Sequence, residues 1–191
     1  MAVQAKLYTA EEFLEIVLLP ENEARRLELI DGEICEMPPS SKRNTIIAAR
    51  FVRWLGNHVD THNLGYVTGA DGGYQIGLHD VLVPDAAFIA KERVSELSGI
   101  VFPAAPDLVV EVISPSETTR KVLDKVRAYL QTGTRIVWTV YPEDKVVDVC
   151  RLADNGSVNI QTVRLDGELS GGEVLPGFTV KVSDIFAGLS E

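Results

Sequence analysis

Apolar positions recur along this chain with two periods, and the switches between them mark its elements. Phe13, Ile16 and Val17 recur at helical spacing after Thr9, and Glu12 stands at capping-box distance from Thr9, so a short helix begins near Thr9 and stops before Pro20. In RLELIDGEICEM, Leu27 and Leu29 alternate with Glu28 and Ile30, and Asp31-Gly32 signals a hairpin. From Ser41 to about His62, Ile46, Ile47, Phe51, Trp54, Leu55 and Val59 predict a long amphipathic helix. The pattern then turns extended, with candidate strands at 65–68, 74–78 and 86–89, separated by Gly and Asp and reading as a meander.

Residues 91–105 read as a polar connection with one helical turn, leading to a strand over 107–113. Ser114-Pro115-Ser116 breaks that strand, and Ser116 or Thr118 caps a helix that runs to about Thr132 and stops at Gly133. Strands follow at 135–141, 145–151 and 159–165, then a bend at Gly171-Gly172 and a short tail near 182–186. Strand, helix and strand over 107–141 predict a βαβ unit. The expected architecture is a mixed β-sheet flanked by helices, of α/β or α+β class, in one domain over 1–191 with a short N-terminal helix.

One residue does not fit its surroundings. Glu111 interrupts the β-branched run of PDLVVEVISPS, where an ionised carboxylate is costly unless paired. The following helix offers a partner. Val122, Val126, Tyr129 and Leu130 form its apolar face, Lys125 falls at the margin of that face, and Asp124 and Arg127 point to solvent. A second carboxylate, Asp85, follows Pro84 where an extended apolar segment begins. Two acids converging at strand ends form an oxygen-ligand site suited to Mg²⁺ or Mn²⁺, and a nearby ammonium can orient water and balance phosphate charge. Plainer arrangements use the same residues: a buried Glu111–Lys125 ion pair without metal, and a turn or capping role for Asp85.

Composition narrows this picture. The net charge of −10 and pI near 4.8 argue against broad attraction to a polyanion, although a local basic groove is compatible with them. With 46% hydrophobic and 24% charged residues the chain is of ordinary globular composition. Cys35 and Cys150 form neither a CxxC pair nor a disulfide framework, the opening stretch lacks the pattern of a signal peptide, and no run is long enough to span a bilayer, so a reducing cytoplasm is expected. His58 and His62 have i, i+4 spacing on a polar part of the long helix, weak grounds for zinc. GADGGYQIG does not match a phosphate-binding loop and reads as turns.

Taken together, VPD, PDLVVEVISPS, Lys125 and Tyr129 on the next helix, Gly133, RIVWTVYPE and the earlier ELIDGEI resemble the Uma-type restriction endonuclease family of the PD-(D/E)XK nuclease superfamily. The resemblance extends from about Leu27 to PGFTVKVSDIF. It implies a restriction-endonuclease-like fold, DNA as substrate, and Asp85 and Glu111 as ligands of Mg²⁺ or Mn²⁺. It also implies a catalytic lysine moved from the strand, where Ile113 stands, to Lys125 on the helix, with Glu28 as a fourth site residue. A homodimer is expected by the same analogy, since two copies of one site cut two strands. The chain departs from the family pattern at Arg43-Asn44, Lys121 and Tyr141. A reading of another class therefore stands beside the endonuclease: a catalytically silent member serving as a protein interaction or assembly module. Lys42, Arg43, Arg50, Arg53, Arg120 and Lys121 gathered around the acidic cleft would favour DNA binding; scattered, they would favour the module.

Overall fold

The computed structural model describes residues 6–189, and among these the chain forms four α-helices and three sheets. Helix α1 (Ala10–Val17) opens on a capping box in which Thr9 and Glu12 exchange side-chain and backbone hydrogen bonds. Strands β1 (Leu27–Ile30) and β2 (Glu33–Glu36) form the expected hairpin. Asp31 and Gly32 both have positive φ, 50° and 80°, as a two-residue turn of the primed type requires. Helix α2 (Lys42–His62) is capped by Ser41 and ends at Asn63 in the left-handed conformation.

The central sheet runs β11 (Val158–Val163), β10 (Val146–Leu152), β9 (Ile136–Tyr141), β8 (Leu108–Val112), β6 (Ala86–Ala90) and β3 (Gly65–Gly69), in that order. Within this sheet, among the described residues, only β8 and β9 are parallel, joined through α3 (Thr119–Gln131), which is the βαβ unit read from the sequence. The expected meander is divided between two sheets. β3 and β6 pair in the central sheet, whereas β4 (Gly73–Gly77) and β5 (Asp80–Leu82) join a second sheet ordered β2-β1-β5-β4-β7, with β7 at Val101–Phe102. The chain changes sheets at the glycines of GADGG: a Cβ on Gly72 would lie 2.5 Å from the Thr68 side chain, closer than any other residue allows. The polar connection does contain a single helical turn, at Lys91–Arg93, but it also contains β7. β12 (Glu168–Ser170) and β13 (Thr179–Lys181) pair separately, and α4 (Val182–Phe186) follows directly.

The central sheet is covered on both faces. On one side, Leu108, Val110 and Val112 of β8 and Ala86, Phe88 and Ala90 of β6 pack with Ile47, Phe51 and Leu55 of α2. On the other, Val109 of β8 and Ala87 and Ile89 of β6 pack with Val122, Val126, Tyr129 and Leu130 of α3. A third cluster joins Phe13 of α1 to Leu27, Leu29 and Val81 of the second sheet. Strand alternation then places the acids. Glu111 shares the α3-facing side with Val109. Residues 85, 87 and 89 fall on that side as well, and Glu28, between Leu27 and Leu29, turns away from α1.

Candidate active site

Three strands and one helix bring their charged side chains to a common point. Ala86 pairs with Val110 across antiparallel β6 and β8, so the next step in that register sets Asp85 opposite Glu111. Asp85 Oδ2 accepts the Val112 N–H at 2.7 Å, tying the two strands together beside the acids. Glu28 arrives from the second sheet, where its Oε1 accepts the Val83 N–H at 2.8 Å. Lys125 enters from α3, with Nζ 2.9 Å from Glu28 Oε1 and 3.0 Å from Glu111 Oε1. One turn further along α3, the Tyr129 hydroxyl donates to the same Glu111 oxygen at 3.0 Å. Asn44 of α2 donates to the carbonyls of Val112 and Ile113 where β8 ends.

The cluster is poor in positive charge for its depth. Glu28 and Glu111 are only 4% and 8% exposed. Burial pushes the Glu111 carboxyl up to about 8, the neighbouring Asp85 and Glu28 charges add to the rise, and Lys125 opposes it. Asp85 is raised as well, mainly by burial, against the Val112 N–H, Lys125 and Arg26. Burial alone would lower the Lys125 ammonium, but Glu111 and Glu28 outweigh it and hold Lys125 above its ordinary value. Tyr129, raised by burial and by Glu111, stays a protonated donor. Three carboxylates thus share one ammonium. Burial and the neighbouring acids raise the affinity of Glu111 for a proton, and a bound cation would relieve the same crowding of negative charge.

The donor set suits a hard divalent cation. Among the described residues, one oxygen of each acid is held by protein donors, whereas Asp85 Oδ1, Glu111 Oε2 and Glu28 Oε2 accept no hydrogen bond. Mg²⁺ binds through one or two carboxylates and keeps several waters, so two such oxygens fit it. Among the described residues no group of three or more His, Cys, Asp or Glu side chains is arranged to hold a metal ion, so a cation here would rest on two carboxylates and water.

The structure therefore brings together Asp85, Glu111, Lys125 and Glu28. A solvated position would be ordinary for a carboxylate so close to Asp31-Gly32, yet Glu28 is buried, where it meets Lys125 of α3 and the Val83 N–H. Tyr129, which its spacing marks as core, is both core and hydrogen-bond donor; its position four residues after Lys125 is the signal in the sequence. Asn44 signalled itself only as a polar residue at an apolar helix position and as part of the Arg43-Asn44 departure from the family pattern.

The basic residues read as a possible rim are largely committed. Arg43 pairs with Glu143 at 3.0 Å, and Arg120 pairs with Asp124 at 3.7 Å. Arg50 donates to the carbonyls of Ile185 and Ala187, and Arg53 lies over the Trp54 ring. Lys42 and Lys121 pair with no acid among the described residues. His58 bonds the Pro176 carbonyl through Nε2, and His62 the His58 carbonyl through Nδ1. Both line a groove of about 560 Å³ together with Trp54 and Phe178, and none of the site acids lines it. Among the described residues, no helix is long and apolar enough to cross a membrane.

The mixed sheet covered by helices on both faces is of the restriction-endonuclease-like class, as the comparisons with known proteins bear out. A family model described as "Uma2: Putative restriction endonuclease" matches residues 10–183, and the chain belongs to this family. A solved structure titled as a putative nuclease belonging to DUF820, from Anabaena variabilis ATCC 29413, superposes with a TM-score of 0.79 at 22% identity, covering 93% of this chain and 97% of that one. That likeness establishes the fold. No curated protein matches the chain.

Proposed function

We propose that the protein is a divalent-metal-dependent endonuclease that hydrolyses phosphodiester bonds of DNA. The observation that carries this reading is the convergence of Asp85, Glu111, Glu28 and Lys125 in a chain of this family. Asp85 and Glu111 would hold Mg²⁺ or Mn²⁺ through the oxygens left without protein donors. The bound cation supplies Lewis-acid stabilisation of phosphate charge and a more acidic water. Lys125, whose raised affinity for its proton makes it a permanent cation rather than a base, balances charge developing on the phosphate and orients water by donation. Glu28 holds Lys125 in place and presents a further acceptor to a water. We place the protein in the cytoplasm, in keeping with its free Cys35 and Cys150, and as a homodimer when it cuts both strands.

A second reading, the catalytically silent assembly module, is favoured by the engagement of Arg43 with Glu143 and of Arg50 with the carbonyls of α4 and by the net charge of −10. Calorimetry with Mg²⁺ and Mn²⁺, and plasmid nicking on the same samples, separate the two. The endonuclease reading expects binding and nicking in the wild type and loss of both in Asp85→Ala and Glu111→Ala. A wild type that binds no metal and leaves plasmid intact leaves Glu111 and Lys125 as a structural pair in a binding module.

A further inference from the structure

The end of α3 adds a residue to this site. Tyr129 is fully buried among Val122, Val126 and Leu130, and packing alone would account for its ring. Packing does not account for its hydroxyl, which a phenylalanine would lack and which donates at 3.0 Å to Glu111 Oε1. Lys125 Nζ meets that same oxygen at 3.0 Å from one helical turn away. Two donors on one oxygen fix the carboxylate's rotation about its terminal bond, a torsion that is otherwise broad. They also leave Oε2 as the oxygen without a protein donor.

The other acids follow the same plan with backbone donors. Val112 N–H holds Asp85 Oδ2, and Val83 N–H holds Glu28 Oε1. Glu111 has no such N–H within its hydrogen bonds, and the hydroxyl of Tyr129 takes that place. Resting on the metal-site reading above, we propose that Tyr129 is a positioning residue for the metal: with Lys125 it holds Glu111 Oε1, so that Oε2 is the oxygen presented to the cation. Removing an outer partner of this kind typically weakens metal affinity by about 10- to 100-fold.

The test compares Mn²⁺ binding by calorimetry in the wild type, Tyr129→Phe, Glu111→Gln and the double variant, with thermal unfolding in EDTA on each. Tyr129→Phe keeps the ring in the core. The expected result is a folded protein whose Mn²⁺ affinity falls about tenfold, and no further loss on adding Tyr129→Phe to Glu111→Gln. A merely structural tyrosine would lower the unfolding temperature and leave affinity unchanged. Wild-type affinity in Tyr129→Phe, beside loss of binding in Asp85→Ala, overturns this assignment alone. Absence of Mn²⁺ binding in the wild type overturns both it and the metal site beneath it. A second readout is spectroscopic: Mn²⁺ draws charge from the hydroxyl's acceptor, so titration into the wild type produces a tyrosine ultraviolet difference spectrum that Tyr129→Phe lacks. Binding without that spectrum also overturns the assignment.

Discussion

Glu111 is the residue whose charge the fold must manage, and its titration gives the most direct handle on the site. An acid whose folded-state value is raised above its ordinary 4.5, here to about 8, binds its proton more tightly in the folded than in the unfolded chain. Its contribution to stability is therefore complete below about pH 4.5 and is lost as pH rises towards 8. Urea unfolding in EDTA from pH 5 to 8 should show wild-type stability falling with a slope of up to about 1.4 kcal/mol per pH unit from this group. Glu111→Gln, which cannot ionise, should be flatter over the same range. Saturating Mg²⁺ should flatten the wild type too, because the cation takes the proton's place. Equal slopes in wild type and Glu111→Gln would mean that Glu111 is already ionised through its pairing with Lys125.

Among elements, the βαβ unit was the most legible part of the chain. A clean 3.6-residue period, a capping threonine and a stop at Gly133 before a β-branched strand are local signals, and they sufficed to aim Lys125 at Glu111. The short strands outside the central sheet were least legible. β5 and β7 of the second sheet and the separate pair β12 and β13 are two or three residues long, and pairing such as that of β4 with β7 is set by partners far along the chain. For the same reason the burial of Glu28 could not be read from its own hairpin, whose turn was plain in Asp31-Gly32. That turn offers an element-level test. Gly32 has φ +80°, and a Cβ there would meet the Leu7 Cβ at 3.0 Å. Gly32→Ala should cost about 1–2 kcal/mol of unfolding free energy. Glu28 lies four residues back and is held separately by Val83 and Lys125, so Mn²⁺ affinity should change by less than about twofold, a local strain staying local. A larger loss of affinity would show that the hairpin, rather than those two donors, positions Glu28.

At the scale of the whole molecule, charge decides how a polyanion can approach. The chain carries 28 acidic against 18 basic residues. Arg43 and Arg120 pair with acids, Arg50 bonds backbone carbonyls and Arg53 lies over Trp54, and Lys42 and Lys121 have neither an acid nor such a partner among the described residues. On the endonuclease reading, phosphate is then held by the bound metal and a few lysines rather than by a basic face. Counterion release converts this into a number: neutralising about three phosphates gives a log–log salt slope of about −3 for duplex DNA. Fluorescence anisotropy of a short labelled duplex, titrated in Ca²⁺ between roughly 50 and 300 mM NaCl, measures it. A slope near −8 would require a basic surface that one chain does not have, and would assign it to a second copy. No binding at the lowest salt, in a protein that binds the metal, would separate the metal site from DNA and favour the assembly module. A shallow slope that disappears with EDTA would instead tie DNA affinity to the cation held by Asp85 and Glu111.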